Sequence, residues 1–343
     1  MDTVWDMGIT IIAFLQGLGE WLTTPMKLAT SLGVPEFYML FMPALYWCWD
    51  ARLGLRVALI LMLSTGLNNA LKIALHSPRP YWITSDIKAL SNDLAFGLPS
   101  GHAQHGVAVW GLLATSVRRP WAWRIALALV VLIGVSRVYL GVHFPTDVLC
   151  GWLVGGLLLW LFLRWGPKVR AWLRRFTTEC PVWQQALMAF LASLVLAALA
   201  GLSLASLGDW RVPEAWPRIA WANSGKEIDP LSLSGVFSAA GLLFGLGAGL
   251  AWISRGEGFR ADGPAAKRIG RYLVGLVGVI LLWYGLRAIR LDHNSLSGHF
   301  ADYARAALGG AWISAGAPWL FLRLGLAERQ PGHDDRRAWA DSP

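Results

Sequence analysis

Residues 185–208 read QALMAFLASLVLAALAGLSLASLG and contain no Asp, Glu, Lys or Arg. A helix rises about 1.5 Å per residue, so a stretch of this length can cross the ~30 Å hydrocarbon core of a bilayer. Shorter stretches without these charged residues recur at residues 57–63, 125–135 and 153–163. The repeated pattern predicts an all-α protein that crosses a membrane several times.

The composition supports this prediction. Of the 343 residues, 55% are hydrophobic and only 15% are charged, against about 25% charged residues in an ordinary soluble domain. Many of the 21 Trp residues flank the apolar runs, where an amphipathic ring suits a membrane interface. A soluble two-domain protein and a disordered chain are therefore excluded. We expect a polytopic helical bundle with about 8–9 transmembrane helices.

The predicted spans follow from the apolar runs and from the polar, Pro- and Gly-containing segments between them. Residues 7–22 include Gln16 and Glu20, so this segment is either a short span or an interfacial helix. Polar loops are predicted at residues 76–100 and 208–230. Pro35 opens an apolar run at 36–49, and eight further predicted spans are 54–75, 101–117, 124–141, 146–164, 182–207, 231–253, 270–289 and 306–323.

These spans predict four regions along the chain. Residues 1–35 hold the doubtful first helix, and residues 36–165 form a core bundle. Residues 166–326 add further transmembrane helices, beginning with a basic amphipathic segment at 166–176 that we expect on the membrane surface. Residues 327–343 are a polar tail, predicted to be disordered and cytoplasmic.

The charge balance predicts how the chain sits in the membrane. The formal net charge is +9, and most Lys and Arg residues fall in alternate loops, which assigns those loops to the cytoplasm. We expect an integral protein of the bacterial inner membrane whose other loops face outward, into the periplasm. No solvated basic face predicts nucleic-acid binding. The three Cys residues lack the spacing of a disulfide framework or a metal site.

Three polar segments carry the candidate chemistry. They are KIALHSPRP at residues 72–80, PSGH at 99–102 and SRVYLGVHFPTD at 136–147. Each lies at the outward end of predicted spans, so four helix ends should meet at one depth. Ionisable residues at a membrane edge are costly and usually mark a functional site.

The residue types in these segments predict a phosphate site. Arg79 and Arg137 offer planar forks that match phosphoryl oxygens, and Lys72 adds a point charge. Ser100 and Gly101 lie at a helix start, where free backbone N–H groups and the helix dipole attract anions. Taken alone, an Arg near the membrane edge is more often a snorkelling side chain. The three segments together favour the functional interpretation.

Two histidines complete the predicted reaction centre. His143 precedes Asp147 by four residues, so the carboxylate can hold one imidazole nitrogen and leave the other free to attack. His102 is then available to protonate a leaving oxygen. His105 lies one turn beyond His102, and a role in lining the site and a role in helix packing are equally compatible with its position.

The pattern Lys-x6-Arg-Pro, Pro-Ser-Gly-His, Ser-Arg-x5-His-x3-Asp resembles the type 2 phosphatidic acid phosphatase superfamily, over roughly residues 36–165. That superfamily includes bacterial acid phosphatases, glucose-6-phosphatase and vanadium haloperoxidases. The resemblance implies a cofactor-free, metal-independent reaction through a phosphohistidine on His143. Asp147 would orient the ring and His102 would act as the acid. The phosphoryl oxygens would be held by Lys72, Arg79, Ser100, Gly101 and Arg137.

Several functions fit this resemblance. The leading expectation is a lipid phosphatase or diphosphatase whose partners are the bilayer and a lipid phosphate. Transfer of phosphate to another lipid, or lipid-phosphate transport without catalysis, are alternatives. The substrate stays open among polyprenyl (undecaprenyl) pyrophosphate, phosphatidate, phosphatidylglycerol phosphate and sphingoid phosphates, as does the oligomeric state. A second polar cluster, a candidate lid or a solvated loop, contains Asp292, His293, His299, Asp302 and Arg305.

Overall fold

The structure is a computed structural model that describes residues 3–253, 258–286 and 295–329. Across these residues the chain is helical, which confirms the predicted all-α class. The helices are α1 Thr3–Gly17, α2 Thr23–Ser31, α3 Pro35–Cys48, α4 Ala51–Leu75, α5 Pro80–Ile83, α6 Gly101–Val117, α7 Pro120–Tyr139, α8 Pro145–Glu179, α9 Val182–Ala205, α10 Ala215–Ser224, α11 Ser234–Ile253, α12 Ala265–Gly285, α13 Leu296–Ala311 and α14 Ala317–Arg323.

Five helical segments of the described residues are long and apolar enough to cross a membrane. A bent pair, Glu20–Ser31 with Pro35–Cys48, makes a sixth if it counts as one span. The chain is therefore an integral membrane protein, and the larger number of spans expected from the sequence stays a prediction. The five segments are Ala51–Ile83, Pro120–Tyr139, Pro145–Glu179, Val182–Ala205 and Ser234–Ile253.

Three predicted boundaries were wrong. The loop expected at 208–230 contains α10. Pro217 does not prevent this helix, because it lies in the first turn, where its missing N–H costs no hydrogen bond. The predicted span end at 164 is not a helix end, since α8 continues through Pro167 to Glu179 and includes the basic segment 166–176. The helix expected to begin at 306 begins at Leu296.

The second polar cluster is accordingly helical where it is described. Asp302 is buried and paired with Arg305 on α13, and His299 stacks on the ring of Phe237. His299, Asp302 and Arg305 therefore do not lie in an exposed loop. Asp292 and His293 lie outside the described residues, as does the predicted tail from residue 330 onward.

The chain divides into two compact units. Among the described residues, the first contains 3–38, 60–167 and 196–236, and the second contains 39–59, 168–195, 237–253, 258–286 and 295–329. The core of the second unit is built around Tyr46, Trp47, Val279, Ala317 and Phe321. The core of the first unit includes Ile12, Tyr81, Trp82, Phe96, Tyr139, Leu140, Val142, Phe144 and Val148.

The first unit contains all the predicted site residues. The end of α4, the start of α6, the end of α7 and the start of α8 supply them. Helices α6 and α8 pack closely at Gly151 and Gly155, where a Cβ would lie 2.6 Å and 2.5 Å from carbonyl oxygens of α6 or its cap. Small residues permit such close helix approach within a membrane. The packing brings the first turn of α6 against the start of α8.

Candidate active site

His143 lies in the short turn between α7 and α8 and is fully buried. Its Nδ1 is 3.2 Å from Oδ2 of Asp147, which lies one turn along in α8. The same carboxylate oxygen accepts the backbone N–H of Phe144 at 3.0 Å. The two contacts fix the carboxylate beside the imidazole and set the orientation of the ring.

The guanidinium of Arg79 lies on the other side of His143 and is also fully buried. Its Nη1 is 3.1 Å from His143 Nε2 and donates to the carbonyl of Val142 at 2.8 Å. Because an arginine N–H can only donate, Nε2 must accept, and the ring proton lies on Nδ1, facing Asp147. His143 therefore presents the lone pair of Nε2 towards a cation.

Lys72 lies at the end of α4 and is 7% exposed. Its Nζ donates to the carbonyl oxygen of Phe96, which also accepts from Arg79 Nη2 at 3.0 Å. The next residue, Gly97, passes close to the Asp147 carboxylate. A Cβ at this position would lie 3.0 Å from Asp147 Oδ2 and 2.7 Å from a backbone carbonyl oxygen. The loop can approach the His–Asp pair this closely because it has no side chain there.

Arg137 lies in the last turn of α7 and is 2% exposed. Its Nη1 donates to the hydroxyl of Thr30 in α2 at 2.8 Å. Its Nη2 is 3.5 Å from Oδ2 of Asp93, and the same oxygen is 3.1 Å from Nη2 of Arg79. One carboxylate thus connects the two guanidinium groups that the sequence assigned to phosphate.

The start of α6 contributes a helix N-terminus. Ser100 is the N-cap residue, and its backbone N–H donates to the carbonyl of Asp147 at 2.9 Å. The N–H groups of the first helical turn have no acceptor within a helix. Three polar side-chain atoms from the predicted site are buried without a hydrogen-bond partner among the described residues: Ser100 Oγ, His102 Nε2 and Arg137 Nε. Buried polar atoms of this kind call for a ligand or ordered water.

A polar network beneath the site holds α6 against α4. Asn68 donates to the carbonyl of Pro99 at 3.2 Å and to Gln104 Oε1 at 2.9 Å. Gln104 in turn donates to the carbonyl and hydroxyl oxygens of Ser64. The Ser64 hydroxyl lies 2.8 Å from His105 Nδ1. His105 therefore belongs to this packing network.

The eight residues predicted for the site all fall within the first unit. Direct hydrogen bonds connect Arg79, His143, Asp147 and Ser100. Lys72 joins this group through the shared carbonyl of Phe96, and Arg137 joins it through Asp93. Gly101 and His102 occupy the first turn of α6.

Three further residues were not found from the sequence. Asp93 and Gly97 lie in the segment 76–100, which was interpreted only as a polar loop, and Thr30 lies in the doubtful N-terminal region. The polar residues of this loop have no regular spacing that would distinguish Asp93 from the others. Only the fold brings its carboxylate to the two arginines.

Electrostatics in the site favour a neutral histidine and an ionised Asp93. Burial lowers the pKa of His143 well below its usual range, and Arg79, Lys72 and Arg137 act in the same direction. Burial alone would raise the pKa of the Asp93 carboxyl. The cations Arg79, Lys72 and Arg137 outweigh burial, so that pKa lies well below its usual range.

Two protein families match parts of this chain. Residues 53–171 match the PAP2 superfamily, and residues 237–329 match the transmembrane extension of PAP2 superfamily phosphatases. The first match contains all three polar segments, which confirms the resemblance expected from the sequence.

Individual relatives are similar over part of their length. Lipid phosphate phosphatase delta of Arabidopsis thaliana is 31% identical over 41% of this chain and 38% of that protein. Phosphatidylglycerophosphatase B of Bacillus subtilis is 34% identical over 36% of this chain and 61% of that protein. This chain therefore spans less than two thirds of either relative.

Among solved structures, a transmembrane PAP2-type phosphatidylglycerolphosphate phosphatase from Bacillus subtilis is 29% identical, with a TM-score of 0.42. The alignment covers 49% of this chain and 89% of that one. The two family matches, with the three polar segments inside the first, assign the chain: it carries a PAP2 superfamily domain followed by the transmembrane extension of PAP2 superfamily phosphatases.

Proposed function

We propose that this protein is a membrane phosphatase that hydrolyses a lipid phosphate or pyrophosphate through a phosphohistidine on His143. The observation that carries the proposal is the position of His143 between Asp147 and Arg79. An imidazole whose Nδ1–H faces a carboxylate has a nucleophilic Nε2. Simple anion binding would require the cations but not this pair.

The proposed reaction has two steps. The lone pair of His143 Nε2 forms a bond to phosphorus while the bond to the leaving oxygen breaks, and His102 gives its proton to that oxygen. Water then attacks the phosphohistidine and returns a proton to His102. The phosphorus–nitrogen bond breaks, and inorganic phosphate leaves. Asp147 stabilises the ring while it carries positive charge.

The phosphoryl oxygens would be held by groups that contact His143 directly or are connected to it through hydrogen bonds and ion pairs. Lys72, Arg79 and Arg137 supply positive charge, which a five-coordinate oxyanion needs more than the ground state does. Ser100 Oγ, a buried hydroxyl without a partner among the described residues, would gain one from such an oxygen. The first turn of α6 at Gly101 would add backbone donors.

A lipid is the proposed substrate because the site lies at the ends of membrane helices. The helices that supply it include three of the five segments long and apolar enough to cross a membrane. An amphiphilic molecule can present its phosphate at that depth while its chains stay in the bilayer. The names of the relatives, a lipid phosphate phosphatase and a phosphatidylglycerophosphatase, support the same substrate class.

We propose that the site faces outward, away from the basic loops. Lys88 lies in the site's loop with an exposed side chain. A Lys88→Cys variant, tested in a background whose three native Cys residues are replaced by Ser, should react in intact cells with a membrane-impermeant maleimide. Labelling only after the cells are opened would reverse the assigned orientation.

We expect hydrolysis to survive chelation and to be blocked by vanadate. The positive charge at the site comes from Lys72, Arg79 and Arg137, and vanadate reproduces the five-coordinate geometry of the transition state. Phosphate release should be measured on a panel of lipid phosphates and pyrophosphates with EDTA present. Assaying the lipid acceptors for new phosphate in the same reactions separates hydrolysis from transfer.

Two outcomes would contradict this account. Loss of activity in EDTA that a divalent metal restores would refute the metal-free reaction. Binding of a lipid phosphate with neither phosphate release nor transfer, in protein confirmed to be folded, would favour the transport alternative.

A further inference from the structure

Asp93 occupies a position in the site that the proposed reaction does not explain. Its Oδ2 lies 3.1 Å from Arg79 Nη2 and 3.5 Å from Arg137 Nη2. These are the two guanidinium groups proposed to hold the phosphoryl group. An anionic oxygen between two such forks has the chemistry of a phosphoryl oxygen. The carboxylate and a substrate phosphate would therefore compete for the same N–H donors.

The backbone of Asp93 is firmly held. The hydroxyl of Tyr81, a residue 1% exposed, donates to the Asp93 carbonyl at 2.8 Å and lies 3.3 Å from its N–H. The next carbonyl, of Leu94, accepts the backbone N–H of Asp229 at 3.2 Å. The distance between the Asp93 Cα and the two arginines is therefore set by the backbone and not by the conformation of the Asp93 side chain.

A segment outside both family matches provides part of this support. Residues 208–232 lie between the matched regions and include α10. From α10, Asn223 donates to the carbonyls of Tyr81 and Thr84 at 2.9 Å and 2.8 Å. Trp216 packs against Trp82, next to Tyr81. The support of the Asp93 loop is thus a feature of this chain's own connecting segment.

The side chain of Asp93 differs from its partners in exposure. It is 32% exposed, whereas Arg79 and Arg137 have side-chain exposures of 0% and 3%. Both arginines are anchored by further hydrogen bonds: Arg79 donates to the carbonyls of Val142 and Phe96, and Arg137 donates to the Thr30 hydroxyl. Rotation of the Asp93 side chain towards solvent would free one N–H of each guanidinium while these other hydrogen bonds stay in place.

We propose that Asp93 is an internal competitor of the substrate phosphate. In the unliganded protein its carboxylate occupies the anion position between Arg79 and Arg137, and it turns outward when a phosphoryl group enters. The shared carboxylate also offsets part of the charge of the two buried cations while no substrate is bound. This inference rests on the proposed function, because it takes the two arginines as the phosphate-binding groups.

The test measures anion binding by the full-length protein in detergent, with orthovanadate and inorganic phosphate as probes. Binding is read from the rise in unfolding temperature with anion concentration, which requires no turnover. We expect Asp93→Asn to lower Kd for both anions by about tenfold, because removing one competing charge is worth roughly 1.4 kcal/mol at such a distance. Asp93→Glu keeps the charge and should bind near the wild-type Kd.

The matched control is Asp86→Asn in the same loop, whose carboxylate accepts a hydrogen bond from the Thr84 hydroxyl. Its Kd should equal that of the wild type. Unchanged or weaker anion binding by Asp93→Asn, including no binding by any variant, would overturn the proposal and make Asp93 at most a positioning residue. Tighter binding without hydrolysis of any lipid would refute the proposed function and leave this inference standing.

Discussion

His143→Ala is expected to abolish phosphate release, with a loss of about 10³-fold or more in kcat, as for removal of a covalent nucleophile in other enzymes. The reason is geometric: the lone pair of His143 Nε2 faces the guanidinium of Arg79, and Nδ1 is hydrogen-bonded to Asp147. The initial rate of phosphate release from the best lipid of the panel, at saturating substrate, measures the effect.

The control for this variant is His299→Ala, which removes a histidine from the second unit, where it stacks on Phe237. It should retain wild-type turnover. Both proteins should first be shown to unfold at temperatures close to that of the wild type. Near-normal phosphatase activity in folded His143→Ala would show that another group is the nucleophile.

Arg79→Lys is expected to lower kcat/KM by about 10²-fold or more, although the positive charge is retained. The guanidinium uses both edges: Nη1 faces His143 and the carbonyl of Val142, while Nη2 faces Phe96 and Asp93. An ammonium group is a compact point charge and cannot bridge these positions. Steady-state kinetics on the same lipid provide the measurement.

The same substitution at Arg137 should also reduce kcat/KM, since its fork connects Thr30 and Asp93. The matched control is Arg218→Lys, on the exposed surface of α10. It should leave kcat/KM unchanged. If Arg79→Lys were as active as this control, charge alone would be sufficient and the bidentate geometry would be irrelevant.

Much of the fold was accessible from the sequence because its physical cause is local. In a bilayer, an uncharged apolar run such as 185–208 is expected to form a helix, because a helix satisfies its own backbone hydrogen bonds. Helix α9, Val182–Ala205, covers most of that run. The three polar segments likewise predicted the candidate site residues, because each segment lies at a helix end.

The parts that were missed depend on contacts between distant segments. Nothing in the sequence near Asp93 distinguishes it from Asp86, yet only Asp93 reaches two arginines. Thr30 contributes to the site from α2, which was not among the predicted helices. Helix α10 was missed because prolines were interpreted as loop residues, although one in a first turn is compatible with a helix.

The central claim is that His143 Nε2 forms a covalent bond to phosphorus. The most direct measurement is rapid quenching of the full-length protein during turnover of a phosphate-labelled lipid, followed by mapping of the labelled peptide by mass spectrometry under alkaline conditions. We predict one labelled site, at His143, that is stable in base, labile in acid and absent from His143→Ala. Label at another residue would contradict the account. So would the absence of label from protein that is quenched within a single turnover while it hydrolyses the lipid.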